Sequence, residues 1–154
     1  MPWIEYEAAV DEPLPHLLTE PRAVRSTVVD RLWVRLVDVD RALAGRRYSI
    51  PLDVVVNVED DLNVEDDFCP WNTGRYRLQA EGEAVSCERT KASADLQLGA
   101  ASLGAAFLGG TTLASLAAVG LVRELRSGAL ARTTRAFRAD REPFYPGGWA
   151  FPAY

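Results

Sequence analysis

Five stretches of the chain place apolar residues on every second position, the pattern of strands with one buried face. Leu32, Val34 and Leu36 alternate with Trp33, Arg35 and Val37. The clearest strand follows Pro51, where Leu52, Val54, Val56 and Val58 share one face and Asp53, Asn57 and Glu59 the other. Tyr76, Leu78 and Ala80 oppose Arg75, Arg77 and Gln79, and Glu81-Gly82-Glu83 turns the chain tightly into a further strand over 84–89. A last strand runs through Ala94, Leu96 and Leu98. Helical spacing appears first at Val39, Ala42 and Leu43, after an N-cap at Asp38 and before Gly45. It returns over 99–108, over 113–119, and over 128–137 after an N-cap at Ser127. Strands mostly first and helices afterwards predict an α+β fold, a largely antiparallel sheet with helices packed on one face.

Residues 1–30 carry little order of their own. Leu14, Leu17 and Leu18 allow one helical turn, which Pro13, Pro15 and Pro21 keep short. The expected organisation is an entry segment over 1–30, a domain over 31–140 and a tail over 141–154. The uncharged run 96–122 is long enough to cross a bilayer, yet five glycines and several hydroxyl residues break it, so buried helices are expected and no membrane span.

Composition narrows the function classes. A chain of 154 residues is large enough for one self-supporting core, burying roughly 70% of its unfolded surface. Its net charge of −5 disfavours nucleic acid and anionic lipid as partners. Cys69 and Cys87 lack any C-x-x-C spacing and are expected as free thiols in a reducing, cytoplasmic setting. His16 is the only histidine, so no multi-histidine metal site exists and no metal is expected.

Several motifs read better as structure than as chemistry. Gly104-Ala-Ala-Phe-Leu-Gly109-Gly110-Thr111 follows the phosphate-loop pattern except that glycine stands where the lysine should. It also follows a helix rather than a strand, so a helix-ending glycine pair and a threonine cap account for it. The acidic run from Glu59 to Asp67 lacks the alternating oxygen spacing of a calcium loop. It arises from a tandem hexapeptide, Asn57 to Leu62 and then Asn63 to Phe68, and reads as a solvated loop. Residues 1–100 carry −8 and residues 101–154 carry +3, which favours pairing of the basic end with the acidic part or with a neighbouring subunit. Five of the 14 aromatic residues, Phe144, Tyr145, Trp149, Phe151 and Tyr154, fall within the last 11 positions. A tail so composed is expected to dock into a groove.

Seven blocks carry a resemblance: Leu32-Trp-Val-Arg-Leu-Val-Asp-Val39, Arg46-Arg-Tyr48, Phe68-Cys-Pro-Trp-Asn72, Cys87-Glu-Arg89, Ala94-Asp-Leu96, Leu103-Gly-Ala-Ala-Phe-Leu-Gly-Gly110 and Gly128-Ala-Leu. In this order they resemble the C-terminal region of the enhanced-intracellular-survival (Eis) type of N-acetyltransferases, from about Leu14 to Phe137. Members of that family carry two acetyltransferase-like (GNAT) domains and then a domain of sterol carrier protein fold. The resemblance implies a curved five-stranded sheet backed by helices, with the GNAT domains as missing upstream partners in the same polypeptide. It implies acetyl-CoA as cofactor of the full-length enzyme and none in this chain, cationic amines of the aminoglycoside type as substrates, and a homo-oligomer.

The resemblance also implies a role for the terminal carboxylate, which in the family acts as general base toward the substrate amine. The matching group is that of Tyr154, with Trp149, Phe151, Phe144 and Tyr145 lining the pocket or docking the tail. An exposed α-carboxyl is a feeble base, so the role requires burial that raises its pKa. The tail departs from the family pattern, being longer and ending in Tyr rather than Phe, and simple packing is the competing reading. Two functions therefore stand side by side. One is an architectural domain, inactive alone, that completes an acetyltransferase's substrate pocket and supports its assembly; the other is a stand-alone carrier holding an apolar ligand between sheet and helices. A truncated product with no separate activity is a third reading.

Overall fold

The computed structural model describes residues 7–29, 32–59, 69–141 and 143–144. Its centre is a five-stranded sheet built from β1 (Leu52–Glu59), β2 (Gly74–Glu81), β3 (Ala84–Arg89), β4 (Leu96–Gly99) and β5 (Val122–Glu124), in the spatial order β3-β2-β1-β4-β5. β1 pairs antiparallel with β2, so that Val56 faces Tyr76 and Leu52 faces Ala80. β2 and β3 form a hairpin whose turn places Gly82 at φ +60°, a conformation open to glycine. β4 lies parallel to β1, and β5 closes the far edge antiparallel to β4. The α+β expectation and the mostly antiparallel five-stranded sheet hold.

Four helices, α1 (Val39–Ala44), α2 (Ala100–Phe107), α3 (Leu113–Ala118) and α4 (Ala129–Phe137), cover one face. Leu43, Leu103, Leu113 and Phe137 bury against Val54, Val56, Val58, Leu78 and Leu96 to make a single core. The alternation of β1 and β2 decides which face this is. The opposite face carries Asp53 and Arg77, joined through both carboxylate oxygens at 2.9 and 2.7 Å, and a chain in which Asn57 and Gln97 donate to Glu59 at 3.0 and 2.7 Å. The Arg77 hydrogen bonds hold the Asp53 carboxyl below the ordinary carboxylate range. No helix among the described residues is long and apolar enough to cross a membrane.

The sequence expectations need four corrections. The segment 32–37 is not a strand, although its exposure alternates: Val34 and Leu36 turn inward while Trp33 and Val37 stand out. Alternation requires one buried face, not a ladder partner, and here the inward face rests on a helix. A Cβ on Gly104 of α2 would lie 2.2 Å from the Val34 carbonyl oxygen, so the segment crosses α2 at a contact only glycine permits. The fifth strand is instead β5, three residues long and too short for periodicity to reveal.

The remaining corrections concern caps. Asp38 makes no side-chain cap for α1 and pairs with Arg41 at 3.7 Å. The residue before α4 is Gly128, at φ +83°, rather than Ser127, and the Leu130 N–H is taken by Glu124 of β5 at 2.9 Å. In the α2–α3 connection the expected glycine stop and threonine cap are both present. Gly109 sits at φ +86°, and Thr112 accepts from the Ser115 N–H at 3.0 Å.

Candidate functional site

Three of the seven blocks meet in one polar clasp beside β2. A single 3₁₀ turn over Pro70–Asn72 places Asn72, 3% exposed, beneath the segment 36–39. Its amide nitrogen donates to the Leu36 and Val37 carbonyls at 2.9 and 3.0 Å, and its amide oxygen accepts from the Val39 N–H at 3.2 Å. Asn72 thereby satisfies one of the orphan donors of α1 from 33 positions away, the task that sequence had assigned to Asp38. The Asn72 carbonyl in turn accepts from the Tyr76 hydroxyl at 2.9 Å. Arg89 completes the clasp, donating to the Trp71 carbonyl, to the Thr73 carbonyl at 3.1 Å and to the Tyr76 hydroxyl at 2.8 Å. Burial pushes the Tyr76 hydroxyl above its ordinary range, so it stays a donor. Outside this network stand Trp33, 84% exposed, Val37, 57%, and Trp71, 53%, the last with its ring N–H on the Val37 carbonyl at 2.8 Å.

A second cluster fixes where the chain leaves the domain. The Arg46 guanidinium lies over the rings of Phe137, Tyr48 and Phe107, 4.4, 4.8 and 5.6 Å from their centroids. One of its terminal nitrogens donates to the Phe137 carbonyl at 2.7 Å, at the last residue of α4. Burial lowers the Arg46 pKa from its ordinary value. Just beyond, the Ala139 N–H donates to the Gly109 carbonyl at 3.3 Å, and a Cβ on Gly109 would meet the Ala139 nitrogen at 2.5 Å. The tail over 141–154 therefore starts from a fixed root. Of its expected site residues, Phe144 is described and is 46% exposed; Tyr145, Trp149, Phe151 and Tyr154 lie outside the described residues, as does the acidic stretch 60–68.

The other expected chemistry is accounted for by structure. Asp95, 7% exposed, accepts from the Val55 N–H at 2.7 Å and from Arg126 at 2.8 Å, so one arginine of the basic end does pair with the acidic part. Both cysteines are free and buried, and burial pushes the Cys87 thiol up to about 12, where it is neither nucleophile nor ligand. His16 is exposed on the N-terminal arm. No cluster of metal-ligating side chains occurs among the described residues. Leu103, Ala106 and Leu113 occupy the space between helices and sheet, and the small residues of α2 serve close packing, as Gly104 shows. Two open clefts lie on the surface among the described residues: one of about 620 Å³ beside Asp53, Gln79, Ser86 and Arg132, and one of about 390 Å³ beside Arg75, Arg89 and Lys91.

Arg46, Trp71, Asn72 and Arg89 fall within the seven blocks, yet nothing in the local sequence points to their tasks. The partners that define those tasks, Phe137 for Arg46, Val37 for Trp71 and Asn72, and Tyr76 for Arg89, lie 13 to 91 positions away, beyond any local period. The arrangement rigidifies backbone and displays aromatic surface; it brings together no nucleophile with a base.

A family model described as a sterol carrier protein domain matches residues 39–146. An uncharacterized N-acetyltransferase of Streptomyces coelicolor is 49% identical over 140 residues, covering 91% of this chain and 32% of that protein. The N-acetyltransferase Eis of Mycobacterium tuberculosis is 34% identical over 130 residues, covering 84% of this chain and 30% of that protein. The crystal structure of Eis1 from Mycobacterium abscessus superposes with a TM-score of 0.75 at 36% identity, over 91% of this chain and 34% of that one. The chain thus spans about a third of the length of the curated relatives it matches.

Proposed function

The chain belongs to the sterol carrier protein domain family, and from that premise we propose that it serves as the carrier-fold module of an Eis-type, acetyl-CoA-dependent N-acetyltransferase acting on amines. The observation that carries this reading is the match over nine-tenths of the chain to one third of an N-acetyltransferase. In this reading the acetyl-CoA site belongs to acetyltransferase-like domains of the same polypeptide, and the present chain completes the substrate pocket and supports an oligomer. The buried Leu103, Ala106 and Leu113 of the core favour it over the carrier of an apolar ligand. The net charge of −5 suits cationic substrates of the aminoglycoside type, within the 8–10 Å over which charge acts at physiological salt.

The tail supplies the chemical part of the proposal. Tyr154 lies 15 positions beyond the anchored Ala139, which allows its carboxylate a reach of up to roughly 50 Å from the domain. Phe144, Tyr145, Trp149 and Phe151 would seat it in an apolar pocket, where desolvation raises the carboxyl pKa toward that of a useful base. The root at Arg46 and Gly109 sets the direction from which it departs.

The test is a chimera in which this chain replaces the matching third of the Streptomyces coelicolor relative. Acetyl-CoA turnover with a polyamine or an aminoglycoside is expected from the chimera and not from the chain alone. Removal of residues 141–154 is expected to lower kcat more than it raises KM. Turnover by the isolated chain would overturn the architectural reading, and a tail deletion without effect would remove the base.

A further inference from the structure

We infer that Trp33, Val37 and Trp71 form the surface on which this chain docks the acetyltransferase-like part of its polypeptide; the inference rests on the function proposed above. The three side chains are 84, 57 and 53% exposed, in a molecule whose core has room for Leu and Tyr at 0 and 1%. Two tryptophans at those exposures leave roughly 200–340 Å² of aromatic surface. That is too little for a complete interface, but it suits the energetic centre of an inter-domain contact of about 600–1,500 Å².

The Val37–Trp71 half of this ledge is also held rigid. Asn72 ties the backbone beneath Val37, the Trp71 ring N–H is fixed on the Val37 carbonyl, and Arg89 holds the Trp71 carbonyl. Aromatic surface fixed beforehand loses little entropy on contact.

The shared extent of the chain identifies the occupant. The sterol carrier match begins at Val39, after Trp33 and Val37, whereas the match to the N-acetyltransferase of Streptomyces coelicolor takes in 140 of the 154 residues. At least 24 of the 38 residues ahead of Val39 therefore belong to what is shared with an acetyltransferase and not with the carrier domain. This arm buries none of its own residues over its two 3₁₀ turns, Leu14–Leu17 and Pro21–Ala23, and leads straight into the ledge. A second copy is the weaker candidate, since two chains of −5 repel.

The experiment uses the chimera, with Trp33→Glu on the ledge and Val119→Glu, at a 70% exposed site on the α3–β5 turn, as control. Tryptic cleavage after Arg22 and Arg25 in the arm reports undocking. Trp33→Glu is expected to speed that cleavage by ~30-fold, the worth of one aromatic hot spot, while Val119→Glu leaves it unchanged. Equal cleavage of Trp33→Glu and wild type would overturn the inference. So would sedimentation of the free chain as a dimer that Trp33→Glu dissociates, because the ledge would then belong to a second copy. Protection of the arm without acetyl-CoA turnover would keep the surface and remove the proposed function; turnover without protection would do the reverse.

Discussion

Replacing Asn72 with aspartate keeps the shape of the clasp and inverts one half of its chemistry. The wild-type amide donates two hydrogen bonds, to the Leu36 and Val37 carbonyls, and accepts one from the Val39 N–H. An ionised carboxylate can keep only the last and turns a charged oxygen toward two carbonyls 2.9 and 3.0 Å away. Losing two neutral bonds costs about 1 kcal/mol each, and leaving buried carbonyls unsatisfied against a desolvated charge adds more, for a total of about 3–5 kcal/mol. Stability of a domain this size is about 5–15 kcal/mol, so Tm should fall by roughly 10 °C. Burial and the facing carbonyls raise the introduced carboxyl pKa in the folded state above its unfolded value of about 3.9. The deficit is therefore largest above the folded pKa and shrinks as pH falls toward the unfolded one, because the protonated acid regains one donor. Urea unfolding of both proteins at about pH 8 and pH 5 measures this directly. A deficit under about 1 kcal/mol, or one that does not shrink at the lower pH, would refute the clasp as described.

Two further outcomes follow from close contacts and buried acids. Gly104→Ala brings a Cβ to 2.2 Å from the Val34 carbonyl oxygen, and the strain of about 1–3 kcal/mol should outweigh the gain of up to about 1 kcal/mol in helix propensity. A lowered Tm with faster amide exchange over 32–37 is expected; a raised Tm would mean the segment does not rest on α2. Burial raises the Cys87 thiol to about 12 and lifts the Tyr76 hydroxyl as well. The unfolded chain releases these protons near their ordinary values of about 8.5 and 10, so stability should fall as pH rises from the unfolded values toward the folded ones. Cys87→Ala should make the decline shallower between about pH 8.5 and pH 10, with alkylation of Cys87 in the parent limited by opening of the fold. An unchanged slope would place the thiol in water.

The two polar clusters give the domain a division of labour. One holds the incoming arm through Asn72 and Arg89, the other holds the outgoing tail through Arg46 and Gly109. Both involve arginines whose hydrogen bonds end on backbone carbonyls and, for Arg89, on the Tyr76 hydroxyl, rather than on carboxylates. Such bonds position chain direction, fixing where the chain enters the domain and where it leaves.

By itself the sequence determined the parts of the fold that depend on nearest neighbours. β1, β2 and β3 were legible because each has one wet and one dry face, and α2 and α3 because glycine and threonine mark their ends. The resemblance of seven short blocks pointed to the family, and the α+β order to the architecture. Only the tertiary structure decided what long-range contacts control. The alternation of 32–37 is genuine, yet whether such a segment joins a sheet depends on what lies beneath it, and Gly104 puts a helix there. β5 exists because β4 offers it an edge, not because three residues prefer extension. Asn72 and Arg46 look like an ordinary turn residue and an ordinary surface base in the sequence. Their partners come from elsewhere in the chain, and a hydrogen bond across 33 or 91 positions leaves no local trace.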